Sequence, residues 1–238
     1  MNSTVDGDHE DFVCRDLVAF MDGNYRTVPS AGARGIAGHS MGGDGALYIG
    51  MRHPDIFCSL YALSPRVGAI DILEPISNTS WRSIAETSDP AMLVKSHSMA
   101  LSFATAFSPN SDRPPWFADF PYELVDDVLA KSTDTWKMRQ QHDLVTLVAS
   151  LQENAKKLKA IALDCRTADS LLLVKILLVR MDKYGIPYTF ESYEVDHVNR
   201  IRARIEGGRL PFFLGERSTV RVTGYRGPVS RLLDAAAR

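Results

Sequence analysis

The chain of 238 residues is poor in cysteine, in long apolar runs and in excess charge of either sign. Its three cysteines, Cys14, Cys58 and Cys165, lie far apart without a CxxC pair, so neither structural zinc nor a disulfide framework is expected. The longest apolar run, 171–179, contains a lysine and is too short to cross a bilayer. Lys and Arg number 27 against 29 Asp and Glu. We therefore expect neither a membrane nor nucleic acid as a partner.

The remaining composition is that of a globular protein. Hydrophobic residues make up 45% and charged residues 24% of the chain, which excludes disorder, collagen and coiled coil. The polar, acidic N-terminal residues carry no signal-peptide pattern, and a reducing cytoplasm is the expected location. A chain of this length forms one large α/β domain or two small ones.

Helical and strand patterns alternate at both ends of the chain. Helical patterns cover 8–23, 42–51, 142–158, 170–184 and 198–213, and strand patterns cover 34–38, 57–63, 160–164 and 188–193. This alternation predicts an α/β fold with a mainly parallel sheet flanked by helices. In the first helix the amphipathic stripe consists of Val13, Leu17, Phe20 and Met21.

Residues 66–150 differ in character from the rest of the chain. Aromatic side chains are frequent there, Pro114 and Pro115 interrupt the segment, and no strand pattern is evident. We predict a helical cap whose aromatic residues either line an apolar substrate pocket, with Trp116 and Phe117 as candidates, or form only the core of the cap. The predicted organisation is a first part of the core at 1–65, the cap at 66–150, a second part of the core at 151–214 and a basic tail at 215–238.

The sequence Gly38-His39-Ser40-Met41-Gly42 matches the G-x-S-x-G pattern of a nucleophile elbow. A predicted strand precedes it and a predicted helix follows it, as an elbow requires. The turn is so tight that side chains two residues before and two residues after the serine are expected to collide, which explains both glycines. A glycine-rich helix start with an incidental serine is the alternative interpretation.

A serine is a weak nucleophile near neutral pH and needs a base that is itself oriented by an acid. Asp169 follows the strand pattern at 160–164 and His197 follows the pattern at 188–193, which is the order of serine, acid and histidine in α/β-hydrolases. Asp164 is a rival acid, although its place at the strand end suits a residue that braces the loop. For the histidine the alternative is a surface position without a partner.

Two residues of the elbow have further predicted roles. The backbone N–H of Met41 is expected to donate one hydrogen bond of an oxyanion hole. His39 lies inside the elbow, where it cannot act as the base, and we expect it to line the pocket. The predicted chemistry is acyl transfer to water, which requires no metal ion and no organic cofactor.

The stretches 38–47 and 52–57 resemble the esterase D-like α/β-hydrolases. That family includes S-formylglutathione hydrolases, feruloyl-type esterases and mycolyltransferases. The segment 164–169 is similar to the acid loop of the family, and Asp196-His197 is similar to its histidine loop. The resemblance implies a triad with the nucleophile, acid and base at Ser40, Asp169 and His197.

The residues and the resemblance together predict a function, and two alternatives to it stay open. The expected activity is that of a carboxylesterase-type serine hydrolase acting on short-chain acyl esters, with a small-molecule ester as its partner. An acyltransferase that uses the same serine is one alternative. The other is a catalytically impaired hydrolase-fold remnant that acts as an interaction protein.

Members of the family normally have a longer N-terminal portion, with the first strands and a loop that feeds the oxyanion hole. Here the pattern begins at the helix before the nucleophile strand, so we expect a partial α/β-hydrolase fold of four parallel strands with that strand at the edge. A homodimer through this edge is the expected assembly. The second oxyanion donor normally comes from that loop, and either a partner chain or a rotated side chain is expected to replace it. Unless a dimer rebuilds the oxyanion hole in this way, we expect weak to moderate esterase activity.

Overall fold

The described part of the chain forms two compact units. A computed structural model describes residues 2–67, 82–84, 86, 87, 89, 95–126, 128–166, 171–193, 201–209, 212, 213 and 215. The first unit comprises Met1–Met21 and Gly68–Thr146, and the second comprises Asp22–Val67 and Leu147–Arg238. The predicted acid Asp169, the predicted base His197 and nearly all of the predicted tail lie outside the described residues.

Strands and helices alternate through most of the described chain. In chain order the strands are β1 (Asn2–Ser3), β2 (Gly7–Asp8), β3 (Gly35–His39), β4 (Ser59–Leu63), β5 (Tyr122–Val125), β6 (Val128–Lys131), β7 (Ala160–Arg166) and β8 (Thr189–Tyr193). The α-helices are α1 (His9–Asp11), α2 (Val18–Asn24), α3 (Met41–Arg52), α4 (Lys95–Phe107), α5 (Thr133–Gln140), α6 (Leu144–Ala155), α7 (Leu171–Lys183) and α8 (Ile201–Arg204). A π-helical stretch (Phe12–Leu17) joins α1 to α2, and a second one (Ile205–Arg209) extends α8.

The second unit is built on a four-stranded sheet in the order β3-β4-β7-β8. All three strand pairs are parallel, which confirms the predicted α/β class. Strand β7 is buried along nearly its whole length, as expected of an interior strand that is covered on both faces. Strand β3, which leads into Ser40, lies at one edge, and among the described residues nothing pairs with its outer side. A homodimer across this edge stays a prediction.

The two faces of the sheet are covered by different helices. On one face α3 approaches so closely that a Cβ atom at Gly50 would lie 2.8 Å from Leu60 Cδ2 and 3.1 Å from Ile36 Cγ2. On the other face Tyr61, together with Leu63 and Ala162, forms a buried cluster against which Tyr193, Ile201 and Phe212 pack. Side chains alternate between the faces of a strand, and the register therefore places Asp164 on this second face, beside Leu63.

Two glycines of α3 test this packing directly. Gly50→Ala is expected to destabilise the protein by about 1–3 kcal/mol, because the added methyl group meets Leu60 and Ile36. In the matched control Gly45→Ala, the new Cβ meets no described atom within 4 Å other than its chain neighbours and the nearby backbone of α3. That variant is expected to gain about 0.5–1 kcal/mol from helix propensity. Urea unfolding of both variants measures the difference, and equal stabilities would contradict the packing of α3 on the sheet.

The first unit contains strands that the sequence pattern did not predict. Strands β5 and β6 form an antiparallel hairpin inside the segment predicted to be a purely helical cap, and β1 pairs with β2. Alternation in β5 extends over only four residues, with Tyr122 and Leu124 half-buried and Glu123 and Val125 exposed. A positive φ of 48° at Asp126 turns the chain into the hairpin. The prediction of a cap without strands is therefore wrong for this stretch, because four residues are too few to show a period.

The predicted stripe of the first helix is largely exposed. Leu17, Phe20 and Met21 retain 39%, 55% and 37% of their accessible surface, whereas Glu10 and Cys14 are buried. The π-helical stretch between α1 and α2 accounts for the difference, since its wider turn rotates the side chains that follow it around the helix axis. An amphipathic pattern read at 3.6 residues per turn therefore assigns the wrong face here.

None of the helices in the described ranges has the length and apolar character needed to cross a membrane.

Candidate active site

Ser40 lies at the turn between β3 and α3 in an unusual backbone conformation, with φ 55° and ψ −120°. Backbone hydrogen bonds to the end of β4, to the turn after it and to the start of α3 hold Ser40 in this conformation. Its N–H donates to the carbonyl oxygen of Leu63 at 2.9 Å, and its own carbonyl accepts from the N–H groups of Gly43 at 2.9 Å and Arg66 at 3.2 Å. Such strain costs about 1–3 kcal/mol and persists where the surrounding structure enforces it, often at functional sites. Ser40 is therefore held in the conformation expected of a nucleophile elbow.

The glycines around Ser40 are required to different degrees. A Cβ atom at Gly38 would lie 1.8 Å from the carbonyl oxygen of Gly42, so no other residue fits there without a shift of the backbone. A Cβ atom at Gly42 meets no described atom within 4 Å other than its chain neighbours and the nearby backbone of α3, and the prediction that this glycine is also required is wrong. The second close approach is at Gly43, whose Cβ would lie 3.1 Å from Pro65 Cα. Sequence reasoning missed it because Pro65 lies far along the chain.

The residues that flank Ser40 are placed as the elbow requires. Met41 is the first residue of α3, so its N–H has no acceptor within the helix and lies at the positive end of the helix dipole. Its side chain is 68% exposed. His39 ends β3 opposite Leu63 and is half-buried. The oxyanion role of Met41 and the pocket role of His39 stay predictions.

The two aromatic residues predicted to bind substrate lie in the first unit. Trp116 is half-buried and meets Phe120 edge to face, with 6.5 Å between the ring centroids. Phe117 has a φ of 50° and is exposed, and its N–H donates to the carbonyl oxygen of Arg113 at 2.7 Å. Their role in substrate binding stays a prediction.

Asp164, the rival candidate for the acid, is fully buried near the end of β7. Its Oδ2 accepts a hydrogen bond from Tyr61 Oη at 2.7 Å and two from Arg204, from Nε at 3.0 Å and Nη2 at 2.8 Å. Burial raises the pKa of this carboxyl, and the bonds from Tyr61 and Arg204 oppose that shift. Asp164 thus links β4, β7 and α8, while the assignment of Asp169 as the acid stays a prediction.

Arg204 is the polar residue near the site that sequence reasoning missed. Its guanidinium also makes a bidentate pair with Glu191, with Nη1–Oε1 at 3.0 Å and Nη2–Oε2 at 2.8 Å. Burial disfavours the charged form, but the bonds to Glu191 and the charge of Asp164 outweigh it and raise the pKa, so Arg204 stays a cation. No local pattern distinguishes it from Arg202 of the same helix, because the partners of Arg204 lie on strands that are distant in the sequence.

The described residues contain no group of three or more His, Cys, Asp or Glu side chains arranged to hold a metal ion.

The Esterase family model, whose description is "Putative esterase", matches residues 5–200. The chain belongs to the Esterase family. The matched range includes Ser40, Asp169 and His197 as well as the whole sheet of the second unit. No curated protein sequence matches the chain.

Solved hydrolase structures share the fold. A ferulic acid esterase is similar over 87% of this chain and 61% of its own, with a TM-score of 0.54 and 20% identity. FphF of Staphylococcus aureus, a fluorophosphonate-binding serine hydrolase, is similar over 90% of this chain and 66% of its own, with a TM-score of 0.56 and 15% identity. An S-formylglutathione hydrolase from Agrobacterium tumefaciens is similar over 90% of this chain and 61% of its own, with a TM-score of 0.52 and 17% identity.

These similarities confirm the α/β-hydrolase fold and the resemblance inferred from the elbow and its flanking residues. The chain spans 61% to 66% of the length of these three relatives.

Proposed function

We propose that the chain is a serine carboxylic ester hydrolase that acts on short-chain acyl esters. The observation that carries the proposal is the strained backbone of Ser40 at a strand-to-helix turn that tolerates only glycine at position 38. Membership of the Esterase family and the names of the structural neighbours support an ester-cleaving reaction. A bound cofactor takes no part in the proposed steps.

In the proposed reaction His197 removes the proton of Ser40 Oγ as that oxygen attacks the ester carbonyl. Asp169 holds the imidazole in the correct tautomer and stabilises the imidazolium. The N–H of Met41, at the N-terminus of α3, donates to the oxyanion that forms. The imidazolium then protonates the leaving alcohol, and the acyl group remains on the serine. Water attacks the acyl-enzyme with the same histidine as base, the bond from the acyl carbon to Ser40 Oγ breaks, the carboxylic acid leaves, and the imidazolium returns a proton to Ser40 Oγ.

Hydrolysis of p-nitrophenyl esters tests the proposal and its triad. We expect Ser40-dependent turnover that is fastest for acetate and falls for butyrate and octanoate. His197→Gln and Asp169→Asn are each expected to lower kcat by about 10⁴-fold, because the serine then lacks a correctly oriented base. Matched controls are His9→Gln, at an exposed histidine, and Asp196→Asn, beside the base.

Each alternative predicts a different result in the same assay. Full activity in Asp169→Asn, together with loss of activity in a folded Asp164→Asn, would reassign the acid to Asp164. Turnover that is absent in the folded wild-type chain would contradict the hydrolase and favour the non-catalytic interaction protein. Products of acyl transfer to an added alcohol, formed faster than acetate, would favour the acyltransferase.

A further inference from the structure

A group of polar side chains joins the ends of β4, β7 and β8 to helix α8 in the second unit. This group, called the Arg204 cluster below, consists of Tyr61, Ser64, Asp164, Glu191, Tyr193 and Arg204. None of its members takes part in a step of the proposed reaction. The cluster extends from the middle of β4 and β8 to Ser64 and Tyr193, which lie where these parallel strands end. An α/β-hydrolase places its triad at this edge of the sheet.

Arg204 is the centre of the cluster. Its side chain is 14% exposed, and it spans the neighbouring strands β7 and β8 by bonding to Asp164 on one and Glu191 on the other. These two carboxylates are register partners in the sheet. The guanidinium also lies over the ring of Tyr193, 4.8 Å from its centroid. The planar fork of arginine makes these contacts at once, which a lysine ammonium does not do.

The cluster continues to the turn that holds Ser40. Ser64 donates its N–H to the carbonyl oxygen of Asp164 at 2.7 Å, and its Oγ lies 3.2 Å from Tyr193 Oη. Its neighbours in the chain, Leu63 and Arg66, make the hydrogen bonds to the N–H and carbonyl oxygen of Ser40. One short turn after β4 therefore contacts the nucleophile on one side and the end of β8 on the other.

The segment 194–200, which carries His197, connects β8 to α8. The described residues on either side of it belong to the cluster, Glu191 and Tyr193 before it and Arg204 after it. We propose that Arg204 is a positioning residue for His197, because it ties α8 to β7 and β8 and so fixes the described elements on both sides of the histidine-bearing segment relative to Ser40. The inference rests on the proposed function, because it concerns the base of that reaction.

The test measures p-nitrophenyl acetate hydrolysis and fluorophosphonate labelling in the full chain. Arg204→Gln is expected to lower kcat by about 10²-fold with KM within about twofold, because a displacement of about 1 Å in a catalytic group costs that much. The number of labelled sites per folded chain is expected to stay at the wild-type value while labelling becomes slower. Arg204→Lys keeps the charge beside Asp164 and is expected to recover part of kcat.

Two variants that each remove a single contact of the cluster test the inference if Arg204→Gln does not fold. Glu191→Gln weakens the bidentate pair at a side chain that is 49% exposed, and Tyr193→Phe removes the hydroxyl that meets Ser64. Each is expected to lower kcat by about 3- to 10-fold without a change in KM, because each releases one anchor of the segment. The matched control is Arg202→Gln on the same helix, whose side chain is 91% exposed and pairs with Glu206, and it is expected to leave kcat unchanged.

Three results would overturn the inference. The first is a wild-type kcat in Arg204→Gln. The second is a fall in labelled sites that matches the fall in activity, with an unchanged rate per site, since a purely structural role lowers only the competent fraction. The third is an unchanged kcat in both Glu191→Gln and Tyr193→Phe. A wild-type chain without labelling at Ser40 overturns the proposed function itself, and this result is distinct from the other three.

Discussion

Replacement of Ser40 by alanine is expected to lower kcat for p-nitrophenyl acetate by about 10⁴- to 10⁶-fold, the loss typical of a serine hydrolase without its nucleophile. The acyl-enzyme is then impossible, because no oxygen remains at the elbow to attack the carbonyl. Alanine at this position adopts the same backbone conformation under the same strain, so the fold is retained. The unfolding midpoint is expected to stay within about 4 °C of the wild type, which corresponds to about 1 kcal/mol.

Two further variants separate chemistry from stability in this experiment. Ser40→Gly is expected to be as inactive as Ser40→Ala, yet more stable than it by about 1–2 kcal/mol, because glycine adopts a φ of 55° without strain. Ser150→Ala removes an exposed hydroxyl from α6 and is expected to leave kcat unchanged. Activity in Ser40→Ala within tenfold of the wild type would show that another residue is the nucleophile.

Replacement of Gly38 by alanine is expected to have the second-largest effect, on both activity and stability. The new methyl carbon would lie 1.8 Å from the carbonyl oxygen of Gly42 and 2.7 Å from the nitrogen of Gly43, both of which are backbone atoms of α3. Because no side-chain rotation relieves the contact, the start of the helix has to move away from β3. We expect a loss of more than about 3 kcal/mol in the free energy of unfolding, together with loss of Ser40 activity.

Gly42→Ala is the matched control for this prediction. The same methyl group is added two residues after Ser40 instead of two residues before it. At this position it meets no described atom within 4 Å other than its chain neighbours and the nearby backbone of α3. Stability is expected to change by no more than about 1 kcal/mol, and kcat by less than about tenfold. Equal and severe effects of the two substitutions, measured by urea unfolding and ester hydrolysis, would contradict the geometry of the turn.

Features determined by residues that are close in sequence were predictable. Helix α7 was predicted at 170–184 and is found at Leu171–Lys183, because its apolar residues recur over several turns. The requirement for glycine at position 38 follows from a turn that involves only a few neighbouring residues. The position of β3 at the edge of the described sheet was also predicted, from the order of the patterns along the chain.

Features determined by distant residues were not predictable. Strand β7 was predicted to end at residue 164, but it continues to Arg166. The carboxyl group of Asp164 can lie in the interior because Tyr61 and Arg204, from distant parts of the chain, donate hydrogen bonds to it. Gly43 is constrained by Pro65 in the same way. The exposed face of the first helix depends on a π-helical stretch that has no signature in the apolar pattern.

The site of fluorophosphonate attachment is the measurement that tests the central claim most directly. The folded chain is incubated with the reagent, and the modified peptide is identified by mass spectrometry. The account predicts a single adduct on the peptide that contains Gly38-His39-Ser40, and no adduct in Ser40→Ala. A folded chain that takes up no reagent, or that carries the adduct on another serine, would contradict it.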